Sequence, residues 1–596
     1  MNKNTENIRV AVTGLGVIAP GSVGKHSFWA NMSQGRVFTG ELTAFNKEGI
    51  RCAVSGEVVP DEEYKKLEKK IHTNCPEAVA SKAQLFAVMS ALQAVEDGGL
   101  SMSALKKETV YLAVGSTMGI DDSCYLSEPL ETLAAPDRRT LENYTANRIP
   151  ETIKSFFGLD DAISHMYMNA CAAGNYAIAS GFHEIKKGRC SLAIAGGVDA
   201  LCYTAVMGFN RLLSVTPDLC RPFDKNRRGM IVGEGSAFLL MESMEHAVAR
   251  GAHIYAELSG YGLGVDAYHI TTPRPDGQGA IATMNRALQC ASLSPSDIDY
   301  VSAHGTGTMA NDASESKALL AVFGENPPPT SSIKSMIGHT LGAAGAIEAV
   351  ACCLMMENQE IIPTANFTTP DENCPVDCVP NKSRKAKLDH IVSNALAFGG
   401  NNSSVIFSKP GARSFPEEVS HEVIPEVRGA RILAVHDFFC ADPDKYYAEN
   451  LPDIDIRTAD IQSKLLTAAI YDTMKNAAQS VGLALNDLPK ESTAIVSGSN
   501  TAALSPTMNF LHTARVTGAL SVSPMAFPNT VANAAASRAS IWLGFRDKVI
   551  ALSDGPILSG LDALLKALEA VNADSDYAFA VAIENEGATV ALVGRQ

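Results

Sequence analysis

Along the first four hundred residues, short runs of alternating or wholly apolar positions give way to longer stretches in which apolar residues recur every three or four places. Residues 8–17 (Ile-Arg-Val-Ala-Val-Thr-Gly-Leu-Gly-Val) alternate and then run into glycine, which predicts a buried first strand and a tight turn. Residues 78–96 carry the helical period, residues 109–114 read as the next strand, and residues 143–157 as another helix. Strands are predicted again at 191–197, 237–241, 254–263 and 300–303, with a helix at 279–291. Strands alternating with helices over this length predict an α/β chain.

One stretch stands out against that rhythm. In His165-Met-Tyr-Met-Asn-Ala-Cys171-Ala-Ala-Gly-Asn-Tyr-Ala-Ile178 the first half reads as a short buried strand. The second half is rich in small residues and continues into an amphipathic helix toward Lys186 and Lys187. Cys171 is thus expected where strand becomes helix, with free backbone N–H groups directed at its sulfur. A helix N-terminus lowers a thiol pKa, so a thiolate is expected, although an isolated Cys among alanines is ordinarily a small buried hydrophobe. Two histidines at strand ends supply company: His304 in Ala303-His-Gly-Thr-Gly-Thr308, and His339 in Lys334-Ser-Met-Ile-Gly-His-Thr-Leu-Gly-Ala-Ala-Gly345. The Gly and Thr around both favour close approach of a ligand to backbone. Ser393-Asn-Ala-Leu-Ala-Phe-Gly-Gly-Asn-Asn402 adds a glycine-rich turn carrying Phe398.

Composition narrows the function classes. A chain of 596 residues has room for roughly three to four domain-sized units. The formal charge of −16 lacks the basic character of a general nucleic-acid binder. Apolar runs such as residues 349–356 are too short to span a bilayer, and the polar amino terminus leads straight into a strand, so neither a membrane span nor a signal peptide is expected. Thirteen cysteines without Cys-x-x-Cys spacing fit reduced thiols in a cytoplasm, and no structural zinc site. Gly14 and Gly16 lack the third glycine of a dinucleotide loop. Lys65, Lys66, Lys69 and Lys70 crowd one or two helical turns, for which a solvated face is the plain reading.

Residues 8 to about 410 resemble the β-ketoacyl-acyl-carrier-protein synthases of the condensing-enzyme (thiolase-fold) superfamily, closest in look to the elongating type. The resemblance rests on Asn169-Ala-Cys171, Ala303-His-Gly-Thr-Gly-Thr308, Lys334-Ser-Met-Ile-Gly-His339 and Phe398-Gly-Gly400, four motifs in the family's order. It implies an α/β, thiolase-like layered αβαβα fold of two duplicated halves. Residues 1–255 would carry the nucleophile and residues 256–410 both histidines. The implied activity is decarboxylative Claisen condensation: Cys171 takes an acyl group from a carrier thioester, and His304 and His339 donate to the enolate left by a malonyl thioester. Lys334 would organise the His339 end, with Asp312 and Glu348 as partners behind the site. Backbone N–H groups of Cys171 and Phe398 would stabilise the oxyanion, and Phe398 would gate the nucleophile. Thr306, Thr308, Gly399 and Gly400 would line the substrate path.

The resemblance also implies a homodimer and an acyl carrier protein as partner. Lys65, Lys66, Lys69, Lys70, Arg221, Arg227 and Arg228 would form the docking patch. No metal or resident cofactor is implied, since phosphopantetheine arrives on the carrier. Ala395, Ala397 and Asn401 depart from the family's Asn-Ser-Phe-Gly-Phe-Gly-Gly-Thr-Asn turn, which leaves the acyl substrate open. Three other activities remain in view: a ketosynthase/cyclase joining two β-ketoacyl units into a cyclohexanedione or resorcinol, a thioester hydrolase using Cys171 and His304, and a non-catalytic chain-length-factor-like subunit. The intact Cys, two His and Lys argue against the last.

Beyond a Pro- and charge-rich linker at 411–429, the pattern repeats itself. Ser463-Lys-Leu-Leu-Thr-Ala-Ala-Ile-Tyr and Ile495-Val-Ser-Gly-Ser-Asn-Thr-Ala mirror Ser81-Lys-Ala-Gln-Leu-Phe-Ala-Val-Met and Leu112-Ala-Val-Gly-Ser-Thr-Met-Gly. The place of Cys171 falls at about Gly555, and neither histidine motif recurs. Residues 430–596 thus resemble a truncated amino-terminal half of a condensing enzyme without its chemistry, for which two readings stand: a structural or partner-shaping role, loosely like a chain-length factor, or a decayed duplication that only packs on the surface.

Overall fold

The computed structural model describes residues 8–74, 81–120, 145–412, 430–480, 483–499, 503–555, 558–584 and 587–594. The expected linker falls almost entirely outside them, as do the first residues of the helices expected from 78 and 143. The described parts of those helices are Lys82–Asp97, capped by the Ser81 hydroxyl accepting from the Gln84 N–H, and Arg148–Phe157.

Among the described residues, fifteen strands form one continuous path that resolves into three five-stranded units. The first unit runs, edge to edge, Val10–Ala19, Gly235–Ser243, Leu192–Asp199, Val110–Gly115, Ile163–Tyr167. The second runs Ala256–Val265, Asn401–Ser408, His390–Leu396, Tyr300–Ser302, Thr330–Ser331. The third, in the last part of the chain, runs Arg431–Phe439, Gly587–Gly594, Tyr577–Glu584, Thr493–Gly498, Val549–Leu552. Within each unit the chain order is first, fifth, fourth, second, third. The first two junctions are antiparallel and the last two parallel in all three.

Units one and two join through Val10–Ala19 and Ala256–Val265, and their helices Ala173–Lys186 and Ala344–Asn358 pack on each other in the core. The segment Leu341–Asn358 is predominantly apolar and 89% buried, as suits an interior helix. It is longer than the apolar run visible at 349–356, and it lies inside the protein. The small residues that follow Cys171 permit this packing. A Cβ on Gly174 would stand 2.8 Å from the Gly342 carbonyl oxygen, and one on Gly197 only 2.5 Å from the same atom.

Units one and three join through Ile163–Tyr167 and Val549–Leu552, antiparallel, with Tyr167 opposite Leu552. The Met168 N–H donates to the Ala551 carbonyl at 2.8 Å and the Ser553 N–H to the Met166 carbonyl at 3.0 Å. Asn169 doubles the seam from its side chain, donating to the Val549 carbonyl at 2.8 Å and accepting the Ala551 N–H at 3.2 Å. The chain's own third unit therefore covers the outer edge of the first unit. The homodimer expected from the resemblance cannot be built on that edge.

Candidate active site

Cys171 sits in a short 3-10 turn, Ala170–Ala172, between strand Ile163–Tyr167 and helix Ala173–Lys186, as the sequence predicts. Ala170 holds φ at 49°, and Leu341 holds 52° at the matching start of the second central helix. Two non-glycine residues in this sparsely populated region mark the two turns that aim functional groups inward. Cys171, His304, His339 and Phe398 converge on one cleft of about 910 Å3, part of it open to solvent. Thr306, Thr308, Ser214, Thr271, Thr272 and Asn402 also line it.

The two imidazoles stand edge to face, ring centroids 5.1 Å apart. The Leu341 N–H donates to His339 Nδ1 at 3.3 Å, which leaves the proton of that ring on Nε2. His304 Nδ1 is buried with no hydrogen-bond partner among the described residues. Burial, then the Lys334 ammonium, holds both rings well below the usual histidine range, so both are neutral donors. Lys334 is 1% exposed and is ion-paired with Glu348, whose carboxyl burial pushes up to about 7.

The thiol corrects one expectation. The helix-terminus argument lowers its pKa, but burial outweighs that and pushes Cys171 up to about 12. Lys334 and the N–H groups of Phe398 and Cys171 pull it down, and the Asp199 carboxylate raises it further. Those two backbone N–H groups do face the sulfur, the arrangement an oxyanion site needs. Two acids that no motif marked hold the turns. Glu315 accepts from the N–H groups of His304 and Gly305, each at 2.8 Å, and Asp199 from those of Thr117, Met118 and Gly342. Asp312 likewise accepts from the N–H groups of Thr306 and Gly307. Asp199 acts on backbone 81 to 143 residues away, and Glu315 lies on helix Met309–Phe323 outside any motif, so neither of these two carries a signal in the sequence.

The third unit reaches into the site. Asn533 donates to the Phe398 carbonyl at 2.9 Å, and a Cβ on Gly399 (φ 80°) would meet Ser537 Oγ at 2.2 Å. Asn401, one of the departures from the family turn, accepts from Asn169 at 2.9 Å and donates to Ser537 at 2.9 Å. Its longer amide thus ties the nucleophile turn, the Phe398 turn and the third unit together. On the other flank Gly400 packs against Asp266, whose carboxylate holds Asn402 at 2.8 Å. Phe527, also from the third unit and 1% exposed, lies 4.8 Å from the Phe209 ring and 6.2 Å from that of Phe398.

Two family models, described as "Beta-ketoacyl synthase, N-terminal domain" and "Beta-ketoacyl synthase, C-terminal domain", match residues 7–247 and 255–368. A Streptomyces cyaneus relative named "Putative polyketide beta-ketoacyl synthase 1" is 36% identical over 425 residues, 68% of this chain and 99% of its own. This chain belongs to the β-ketoacyl synthase family. Its activity is that of a condensing, acyl-transferring ketosynthase. The solved structure titled "The ishigamide ketosynthase/chain length factor" is 38% identical, with a TM-score of 0.64 over 67% of this chain and 99% of that one. That titled "PfaC Keto synthase-Chain length factor" aligns with 99% of this chain and 78% of its own at a TM-score of 0.79 and 17% identity, a likeness of fold that includes the third unit.

The basic residues of this ketosynthase separate on inspection. Lys65, Lys66 and Lys70 are answered by Glu62, Glu63 and Glu96, so with exposed Lys69 they form the solvated face of helix Glu62–Asn74. Arg227 is no surface group. Its side chain is 0% exposed, ion-paired with Asp371 and 3.8 Å from Asp312, and it donates to the Thr308 and Met309 carbonyls. Burial there is tolerable only because those acceptors surround it. Arg221 is half-buried beside Asp218, while Arg228 is exposed. Their loop adjoins Thr306–Thr308 through the Gly229 N–H, which donates to the Gly307 carbonyl at 3.0 Å.

Proposed function

We propose that this ketosynthase condenses a Cys171-bound acyl group with a malonyl or β-ketoacyl thioester delivered by an acyl carrier protein. The observation that carries the reading is the convergence of Cys171, His304, His339 and Phe398 on one cleft. The thiol, held protonated at rest, attacks the donor thioester; an S–acyl bond forms and the carrier thiol leaves with the proton. A malonyl thioester then enters past Thr306 and Thr308 and loses carbon dioxide. His339 Nε2–H and a ring N–H of His304 donate to the enolate oxygen, a task for which neutral imidazoles are suited. The enolate carbon attacks the acyl carbonyl, and the N–H groups of Phe398 and Cys171 hold the oxyanion, each worth ~3 kcal/mol. Collapse breaks the C–S bond, and Cys171 recovers a proton from solvent. The carrier protein would dock near Arg228 and Arg221, whose loop is hydrogen-bonded to the Thr306–Thr308 segment.

The third unit takes the place of a partner subunit at the sheet edge and shapes the acyl cleft, as a chain-length factor would. Phe527 does not itself line the cleft but backs Phe209 and Phe398, which do, and so sets how deep its floor lies.

Intact-protein mass after incubation with acyl-carrier substrates tests the reading. Wild type is expected to gain one acyl group and to discharge it, with carbon dioxide, when malonyl-carrier is added; Cys171→Ala gains none. Free acid released without carbon dioxide would instead make the protein a thioester hydrolase. A ring product from β-ketoacyl donors would make it a cyclase.

A further inference from the structure

A second group of side chains meets at the seam between units one and three, and the condensation does not use it. His165 lies on strand Ile163–Tyr167. It faces Asp554, just beyond strand Val549–Leu552, and Asp562 on helix Leu558–Ala573. One ligand-type atom from each of the three lies within 4.8 Å of the others. His165 Nδ1 and Asp554 Oδ2 are 3.2 Å apart, on side chains only 9% and 3% exposed. The two atoms form an ion pair only if the imidazole is protonated; with a neutral ring neither has a hydrogen-bond partner among the described residues, although each is buried. Leaving two such groups unsatisfied is costly.

The surroundings hold these atoms in position. The other Asp554 oxygen accepts the Met166 N–H at 2.5 Å, which turns Oδ2 toward the imidazole. The rings of Tyr111 and Tyr167 stand edge-on to His165 at 5.6 and 6.3 Å and fix its plane. The Met166 N–H on Asp554 is the kind of outer hydrogen bond that orients a metal-ligating carboxylate. Lys566, one turn beyond Asp562, is held by Glu184 at 3.1 Å and Glu569 at 3.0 Å.

Two donor atoms each about 2.1 Å from a common tetrahedral or octahedral ion stand about 3.0–3.4 Å apart. The 3.2 Å between His165 Nδ1 and Asp554 Oδ2 falls in that range, without the alignment of a hydrogen bond. We propose that His165, Asp554 and Asp562 bind one first-row divalent cation, zinc or manganese, with water completing its coordination. One imidazole and two carboxylates suit these ions. The ion ties the third unit to the strand that leads into Cys171.

Full-length protein stripped with a chelator and reloaded with Zn2+ or, separately, Mn2+ tests this by bound metal per chain and by thermal midpoint. The Mn2+ arm discriminates against the cysteines, whose thiolates favour zinc. About one ion per wild-type chain is expected, with the midpoint rising by about 2–3 °C at a hundredfold excess over Kd. Asp562→Asn, at a partly exposed position, and His165→Gln are expected to lose both the ion and the shift. Failure of wild type to retain either metal overturns the proposal, and so does equal binding by wild type and a folded Asp562→Asn.

Discussion

Replacing Phe527 by alanine removes the ring that the third unit places behind the acyl cleft. Phe527 is 1% exposed and packed on Phe209, Phe398 and Phe510, and a Cβ on Gly208 would meet its ring at 2.1 Å. A buried phenylalanine covers 150–250 Å2, so at ~25 cal/mol per Å2 the loss is about 4–6 kcal/mol as an upper bound, in line with the ~3–5 kcal/mol typical of Phe→Ala. The vacated space admits more of an acyl chain. Each methylene that enters it gains ~0.8 kcal/mol, so a two-carbon extension gains ~1.6 kcal/mol, a shift of about 15-fold in preference. The assay is Cys171 acylation across a ladder of saturated acyl donors differing by two carbons, read by intact mass. Phe579→Leu, in the third unit's own core against Phe545, supplies a control that lowers stability without touching the cleft. If folded Phe527→Ala keeps the wild-type donor preference within about twofold, the third unit does not set the depth of the cleft floor and the reasoning fails.

Three further outcomes follow from where charged and titratable groups sit relative to solvent. Arg227→Ala leaves Asp371 and Asp312 without their cation and is expected to cost about 3–5 kcal/mol by denaturant unfolding. Arg228→Ala, at an exposed position, should leave stability within about 0.5 kcal/mol and weaken carrier-protein affinity instead. Burial holds His183 down at about 4, so between about pH 6.5 and 4 the unfolded chain binds the extra proton and stability falls as pH falls. The loss from that group is of the order of 2–3 kcal/mol, and His183→Gln should flatten this part of the pH–stability curve.

The cluster proposed as catalytic was legible in the sequence because its chemistry is carried by short local motifs. A thiol at a strand–helix turn, histidines among glycines and threonines, and a Phe-Gly-Gly turn each need a particular backbone over a few residues. The period of apolar positions likewise determined an α/β chain, and the echo of residues 81–119 in 463–502 announced the third unit. Other features depended on distances that no local pattern encodes. The thiol pKa followed from how completely the fold buries the sulfur, which outweighs the helix terminus the sequence does display. Arg227 reads as one more surface cation until the fold wraps it in Asp371, Asp312 and two carbonyls. Asn401 looks like a defect in a family motif, yet it bridges Asn169 and Ser537 from opposite ends of the chain. The sequence alone determined which groups could react and on what kind of scaffold, because those are properties of neighbouring residues. Only the tertiary structure decided which sheet edge the third unit covers and which protons the buried groups keep, because pairing across a seam and exclusion of water arise from residues hundreds of positions apart.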